Sequence, residues 1–434
     1  MAGLIVIGGG LAGCEAAWQA ARRGVEVTLL EMRPAKLTEA HKTGLLGELV
    51  CSNSLRSADI LSAPGLLKKE LEMADSLIMK AAEASRIPAG SALAVDRSAF
   101  AEFLTSTLSG DPLITIIREE VCALPDSPTI LATGPLTSGP MAEALKRLLG
   151  HEHLHFYDAI APIIGAESIE YGKVYFGSRY GKGGDDYINC PMTKEEYETF
   201  FDALSEADKV NVRVFENQKV FEGCMPVEVM ALRGKDTLRF GPMKPVGLPD
   251  PKTGREPYAV VQLRPENREG SAYNMVGFQT RLKWPEQKRV FSMIPGLGRA
   301  EFLRYGSVHR NTFINGPRSL ERDLTLKTSH AVYLAGQITG VEGYIESTAM
   351  GLVAGINASR KIKGKESVEV PLTTAHGCLI HHITSPSKDF QPSNIHFGLF
   401  PAVNAGIKKK DLKRKMIVER AISDWVGYLE KVGP

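Results

Sequence analysis

The sequence predicts an α/β fold: a parallel-sheet domain interrupted by a smaller inserted α+β domain. Three observations predict it. A strand, a glycine turn, a helix and a second strand follow one another within residues 4–31. Between about 160 and 315 the texture changes to short strand-like runs, aromatic residues and many turns, and a strand, glycine and helix pattern resumes at 331–361. The expected divisions are 1–160 for the first part of the parallel-sheet domain, 161–315 for the insertion, and 316–434 for the second part with a basic C-terminal segment. At about 100 to 200 residues per domain, 434 residues suffice for two or three domains with cores of their own.

Leu4–Ile7 is a short apolar run of the kind that makes a buried strand, and Gly8-Gly-Gly-Leu-Ala-Gly13 turns the chain. The alanine-rich stretch Ala16–Arg23 reads as helix, and Val25–Leu30 reads as a second strand ending at Glu31, which completes a βαβ unit. Residues 64–84 read as one amphipathic helix: Ser62 is a suitable N-cap ahead of Pro64, and Leu67, Leu71, Ala74 and Ile78 recur near helical spacing. Ser98–Leu108 reads as a further helix, and Ile130–Gly134 as a strand running into a glycine. Turn-forming stretches such as Tyr180-Gly-Lys-Gly-Gly184, Gly241-Pro242 and Leu248-Pro-Asp-Pro251 punctuate the insertion. Ala331–Ala335 is again strand-like, Gly336, Gly340 and Gly343 follow, and Ser347–Lys361 reads as helix. The C-terminal segment, with Lys408-Lys-Lys410 and Lys413-Arg-Lys415, is expected to be helical.

Hydrophobic residues at 43% and charged residues at 24% are ordinary for a globular protein, whereas 42 glycines exceed the usual frequency and suggest nucleotide-binding loops. The 52 basic residues nearly balance the 50 acidic ones, so any polyanion must be held by a local patch rather than a global field. Six cysteines at 14, 51, 122, 190, 224 and 378 form no CxxC pair, which points to reduced thiols and no metal site. The apolar run from Leu4 to Ala21 is broken by glycines and has no Lys or Arg before Arg22, so it lacks the charged start of a signal peptide. No stretch reaches the roughly 18 to 20 apolar residues of a membrane helix, and a cytoplasmic location is expected.

In Gly8-x-Gly10-x-x-Gly13 the first glycine permits the turn, the second lets the backbone approach a pyrophosphate, and the third allows close packing of helix on strand. Gly9, Leu11 and Ala12 complete this Rossmann-like loop. Glu31 stands 18 residues after Gly13, where a carboxylate can bind ribose hydroxyls and would repel the 2′-phosphate of NADP. Far along the chain, Tyr333-Leu-Ala-Gly336-Gln337-Ile-Thr-Gly340-Val-Glu-Gly343-Tyr344 supplies a second glycine loop before a helix. It resembles the C-terminal segment that closes over the ribityl phosphate and flavin in flavoproteins of the glutathione-reductase type, which implies FAD.

Two cysteines lie in unusual surroundings. Cys51, in Glu48-Leu-Val-Cys-Ser-Asn-Ser54, is flanked by small polar residues and stands just before an expected helix, a position that favours a reactive thiolate. Cys224, in Phe221-Glu-Gly-Cys-Met-Pro226, reads as a loop residue, while Cys14, Cys122, Cys190 and Cys378 read as small buried hydrophobes. These two segments, with Gly8–Gly13, Tyr187-Ile-Asn-Cys-Pro-Met192 and Gly336–Glu346, resemble the bacterial folate- and FAD-dependent tRNA (uracil-5-)-methyltransferases along nearly the whole chain. The resemblance implies 5,10-methylenetetrahydrofolate as carbon donor, NADH or NADPH as reductant, and ribothymidine at position 54 of the tRNA T-loop as product. Uracil C5 becomes nucleophilic once a thiolate adds to C6, and a base must later remove the C5 proton. Cys224 is assigned as nucleophile and Cys51 as base or methylene-handling partner.

His309 and Tyr344 are candidates to stack on a pterin or flavin. His151, His153 and His155 alternate as an exposed edge strand would, rather than as a metal site. For tRNA, residues 280–327 hold ten basic against four acidic residues, and residues 401–434 hold eight against four, Lys409 and Lys413 among them. Three alternatives stand beside the main reading. They are the larger flavoprotein that modifies the tRNA wobble uridine, whose long C-terminal helical region this chain is too short to carry; an NADH-dependent flavin oxidoreductase; and a non-catalytic flavin-bearing RNA-binding protein. The basic patches disfavour the second, and the paired motif cysteines the third.

Overall fold

The structure, a computed structural model, describes residues 3–150, 154–210, 225–387, 390–403 and 409–433. Its first sheet has six strands in the order Thr325–Leu326, Ser329–Leu334, Thr129–Leu131, Leu4–Ile7, Val27–Leu30 and Ile114–Ile117, all parallel except the first pair. Leu4–Ile7 is central, pairing Val6 with Leu29 on one side and with Ile130 on the other. Such a strand has no solvent face, which is why its sequence is a continuous apolar run rather than an alternating one.

The helix Leu11–Arg22 leaves the end of that strand, and the helix Tyr344–Ile362 crosses it. The crossing depends on missing side chains: a Cβ on Gly351 would collide with the Ala12 carbonyl oxygen, and one on Gly355 would stand 2.6 Å from that of Ala16. Two helix N-termini are thereby held side by side at one end of the sheet.

The second sheet is antiparallel, in the order Tyr175–Phe176, Ile188–Met192, Ala259–Pro265, Ala272–Met275, Ile163–Gly165, Phe302–Arg304, and it has a buried core of its own around Tyr197, Phe200, Phe278 and Phe291. A ribbon of Leu154–Ile160 against Ser307–Phe313 links it to the rest. The α/β class is thus as expected, with helices on the parallel sheet and strands concentrated in the middle of the chain.

Local departures have local causes. The single helix expected over 64–84 is two, Ala63–Met73 and Leu77–Ala84, because Asp75 turns left-handed (φ 59°) and Ser76 caps the second through Met79 N–H. Ser62 caps the first, accepting from Gly65 N–H at 3.1 Å. Cys51 does not precede a helix: residues Ser54–Ser57 form a strand. The C-terminal helix Lys410–Val432 is docked by Trp425, fully buried, whose ring stacks on His376 at 4.2 Å and whose Nε1 donates to the Glu70 carbonyl. No helix among the described residues is long and apolar enough to cross a membrane.

Candidate active site

A cavity of about 490 Å³ opens at the end of the parallel sheet where the two helix N-termini meet. Its walls are the first glycine turn (Gly8, Gly10, Leu11, Ala12), the 48–56 segment with Cys51, the loop Thr133–Ser138, and Gly336, Gln337, Gly343 and Tyr344.

The three fingerprint glycines divide their work as their spacing suggests. Gly8 has φ 106°, and a Cβ there would press on the Ala132 backbone; a Cβ on Gly13 would collide with the Gly8 carbonyl. Gly10 differs, since nothing lies within 4 Å of where its side chain would stand. Its missing Cβ leaves room in the cavity itself, at the N-terminus of a helix, which is where a pyrophosphate would sit. On the far side Gly343 (φ 116°) starts the helix Tyr344–Ile362, and a side chain there would collide with the Glu346 carboxylate. These residues would suit a long dinucleotide such as FAD, since both helix N-termini line the same cavity.

Not every expected binding residue faces the cavity. Gly9 is buried and donates its N–H to Glu31 at 2.7 Å, Gly13 packs beneath the turn, and Gly340 lies under the Phe390 ring. Glu31 lines the cavity, but Arg33 engages its carboxylate through Nε at 2.9 Å and through its own backbone N–H at 3.0 Å. Burial pushes the Glu31 carboxyl up, yet the Arg33 bonds outweigh burial and hold it below the usual range. The carboxylate that Glu31 presents to the cavity is thus already oriented by an arginine.

Cys51 is at the cavity wall, and its segment is clamped from three directions. The Tyr344 hydroxyl accepts the N–H groups of Cys51 and Ser52 at 2.8 and 3.2 Å. Arg97 donates to the Leu49 carbonyl at 2.6 Å and pairs with Glu266. Arg264 donates to Asn53 Oδ1 at 2.9 Å and Ser52 Oγ at 2.8 Å. Burial pulls the Arg97 guanidinium down, but Glu266 outweighs it, so Arg97 is a fixed cation within electrostatic reach of the thiol. Burial also drives the Tyr344 phenol well above its ordinary range, so it stays protonated. Tyr344 was expected as a stacking ring; here its hydroxyl holds the cysteine backbone.

Cys224 lies outside the described residues, as do His151 and His153. His309 is on the strand Ser307–Phe313, in register with Asp158. Cys14, Cys190 and Cys378 are buried, and burial lifts each thiol to about 12, as inert thiols require. Cys122 departs from expectation and is exposed, in the stretch after the strand Ile114–Ile117. No group of three or more metal-ligating side chains occurs among the described residues. Lys409 and Lys413 stand at the start of the C-terminal helix; no carboxylate among the described residues pairs with either, whereas Lys415 lies 3.9 Å from Glu419.

A family model described as glucose inhibited division protein A matches residues 3–366. The chain is 59% identical over 424 residues, 97% of each chain, to the methylenetetrahydrofolate–tRNA-(uracil-5-)-methyltransferase TrmFO of Moorella thermoacetica. It is 57% identical over 430 residues, 98% of this chain and 99% of the other, to that of Geobacter sulfurreducens. Among solved structures, Aquifex aeolicus GidA in its form II crystal matches with a TM-score of 0.71 over 99% of this chain and 74% of that one, at 16% identity, a likeness of fold.

Proposed function

The chain belongs to the glucose inhibited division protein A family and, within it, to the methylenetetrahydrofolate–tRNA-(uracil-5-)-methyltransferases, and on that premise we propose that it converts the T-loop uridine at tRNA position 54 to ribothymidine. The carbon donor is 5,10-methylenetetrahydrofolate, the reductant NADH or NADPH, and the setting the cytoplasm, where tRNA is found. The observation that carries this reading is the clamped Cys51 at the wall of a cavity shaped for a dinucleotide. FAD, when bound there, supplies the hydride that turns the transferred methylene into a methyl group.

The remaining work falls to this chain's residues. The Cys224 thiolate adds to uracil C6, and the electron pair displaced toward O4 returns through C5 to attack the methylene carbon. Cys51, as thiolate, takes the C5 proton, and the pair left behind expels the tetrahydrofolate nitrogen from the transferred carbon, leaving an exocyclic methylene; hydride addition to that methylene returns a pair through C5 that expels the Cys224 thiolate from C6. Residues 161–315 serve as an inserted domain that brings Cys224 to the base. Water is kept from the reaction by the walls already described, Tyr344 and the glycine loops.

The deciding assay incubates the holoenzyme with unmodified tRNA, methylenetetrahydrofolate and NAD(P)H and analyses the nucleosides. Ribothymidine at position 54 is expected; its absence with FAD bound and reducible would overturn the reading. A second expectation concerns charge. Because the net charge is only +2, tRNA affinity should come from local clusters and fall steeply with salt. Charge reversal at Lys409 and Lys413 should weaken all tRNAs alike and flatten the slope of log affinity against log salt by about two. An unchanged slope would take the C-terminal cluster out of the footprint.

A further inference from the structure

Trp284 is the first residue of the helix Trp284–Phe291 and is 63% exposed, an unusual degree for the largest apolar side chain. It is not a stray surface residue. Its ring stacks on Tyr305 with centroids 5.4 Å apart and planes 12° from parallel, and Tyr305 stacks in turn on Phe302 at 5.2 Å and 7°. Three aromatic planes thus form a ladder rooted in the core of the antiparallel sheet, with the outermost face open.

The ladder is held from behind by a fully buried amide. Gln287, one turn along from Trp284, donates through Nε2 to the Leu282 and Gly306 carbonyls at 2.7 and 2.9 Å and accepts Gly306 N–H at 2.8 Å. A Cβ on Gly306 would stand 2.8 Å from the Ile160 carbonyl and would collide with Thr280. This fixes the Tyr305 turn against the Trp284 helix, so the two rings are ordered before any ligand arrives.

Two further features specify the occupant. Residues 280–305 hold six basic residues (281, 283, 288, 289, 299, 304) against two acidic (286, 301), and neither Lys288 nor Arg304 forms an ion pair among the described residues. The platform also adjoins the cavity: Ile160 and Gln279 line it, Gly306 packs on Ile160, and the chain runs from Gln279 to Trp284 in five residues. Arg304, next to Tyr305, lies within electrostatic reach of both Cys51 and Arg97. An open aromatic face amid unpaired cations suits a ligand with flat rings and a phosphate backbone.

Resting on the tRNA reading above, we propose that the Trp284–Tyr305–Phe302 ladder is a stacking platform for an unpaired base of the RNA, adjacent to the nucleotide whose base is modified. Lys288 and Arg304 contact the phosphates flanking that base. A splayed loop nucleotide offers both faces of its base, and a base laid on Trp284 would replace the lost stacking of its neighbours.

The test uses the holoenzyme and a T-arm RNA hairpin. Of the chain's three tryptophans, Trp425 is buried and Trp18 is covered by Arg22 and Lys80, so Trp284 is the one a base can reach. Binding should quench tryptophan fluorescence in the wild type but not in Trp284→Phe, which should bind within about threefold of wild type because the phenyl ring still stacks. Trp284→Ala should weaken binding about tenfold, the loss of one stacked base, and raise the KM for tRNA far more than it lowers kcat. Removing loop bases one at a time should reveal one abasic hairpin on which Trp284→Ala costs nothing. FAD content checks the fold of each variant. Wild-type affinity in Trp284→Ala, an equal penalty on every abasic hairpin, or a change confined to self-association would overturn the platform and, in the last case, assign the face to a second copy of the chain. Wild-type ribothymidine formation, measured alongside, separates the two readings: with product formed and the Trp284 effect absent, the platform alone fails.

Discussion

Cys224→Ser holoenzyme is expected to form ribothymidine at least about a thousandfold more slowly than wild type, with FAD retained and NAD(P)H still oxidised. A serine hydroxyl is scarcely ionised near neutral pH, and the addition to uracil C6 needs the anion. The glycine loops that would grip the dinucleotide, Gly8–Gly13 and Gly336–Gly343, lie far from residue 224 in the chain and outside residues 161–315, so flavin is expected to stay bound. Cys51→Ser should also lose methylation, for a different reason and with a different signature. Cys51 lines the cavity and its N–H is bonded to Tyr344, so its replacement should perturb the flavin absorbance while leaving the nucleophile in place. A hairpin carrying 5-fluorouridine distinguishes the two. The C5–F bond cannot release its substituent as a proton would leave, so the C6 adduct persists and survives a denaturing gel. Wild type and Cys51→Ser should give that adduct and Cys224→Ser should not. The reverse pattern would exchange the two roles, and full methylation by either variant would show its cysteine to be a spectator.

What the sequence revealed of this site was its local part. Gly8, Gly10 and Gly13 fall within one turn, each with its own steric reason, and Ser62 caps a helix three residues away, so both could be read without the fold. The clamp on Cys51 could not. Arg264 reaches Asn53 across 211 residues, and Arg97 depends on Glu266 across 169; nothing near either arginine distinguishes it from a solvated surface charge until the two sheets are brought together. Glu31 shows the limit from the other side. Its place after the second strand was legible, but its pairing with Arg33, two residues on, depends on how the chain turns after Leu30. The break at Asp75 was missed because hydrophobic spacing continues through it from Leu71 to Ile78, while Ser76, the cap that starts the next helix, reads as an ordinary polar residue inside such a pattern.

Gly10→Val should give a folded, colourless protein, whereas Gly13→Val should give little soluble protein at all. The two glycines are three residues apart in one motif, so the contrast isolates what each missing side chain does. Gly10 caps the helix with φ −78° and ψ −173°, an extended conformation that valine adopts readily, and nothing lies within 4 Å of the new Cβ. The substitution therefore costs the folded chain little, about 1 kcal/mol or less from lost preference at the cap. Its two methyl groups project instead into the cavity, where the phosphates must approach backbone N–H groups, and binding should drop by at least about a hundredfold. The melting temperature should then match that of wild-type protein stripped of flavin, since ligand-linked stability is all that is lost. At Gly13 the added Cβ meets the Gly8 carbonyl inside the packed turn, with Val6 close behind, and relief requires moving the helix off the central strand. That overpacking should cost roughly 3 kcal/mol or more. Absorbance at 450 nm against protein, circular dichroism and thermal melts of the three proteins decide the matter. A yellow Gly10→Val protein with one FAD per chain would remove the dinucleotide from this cavity, and a Gly10→Val chain as unfolded as Gly13→Val would show that the space beside Gly10 is not open.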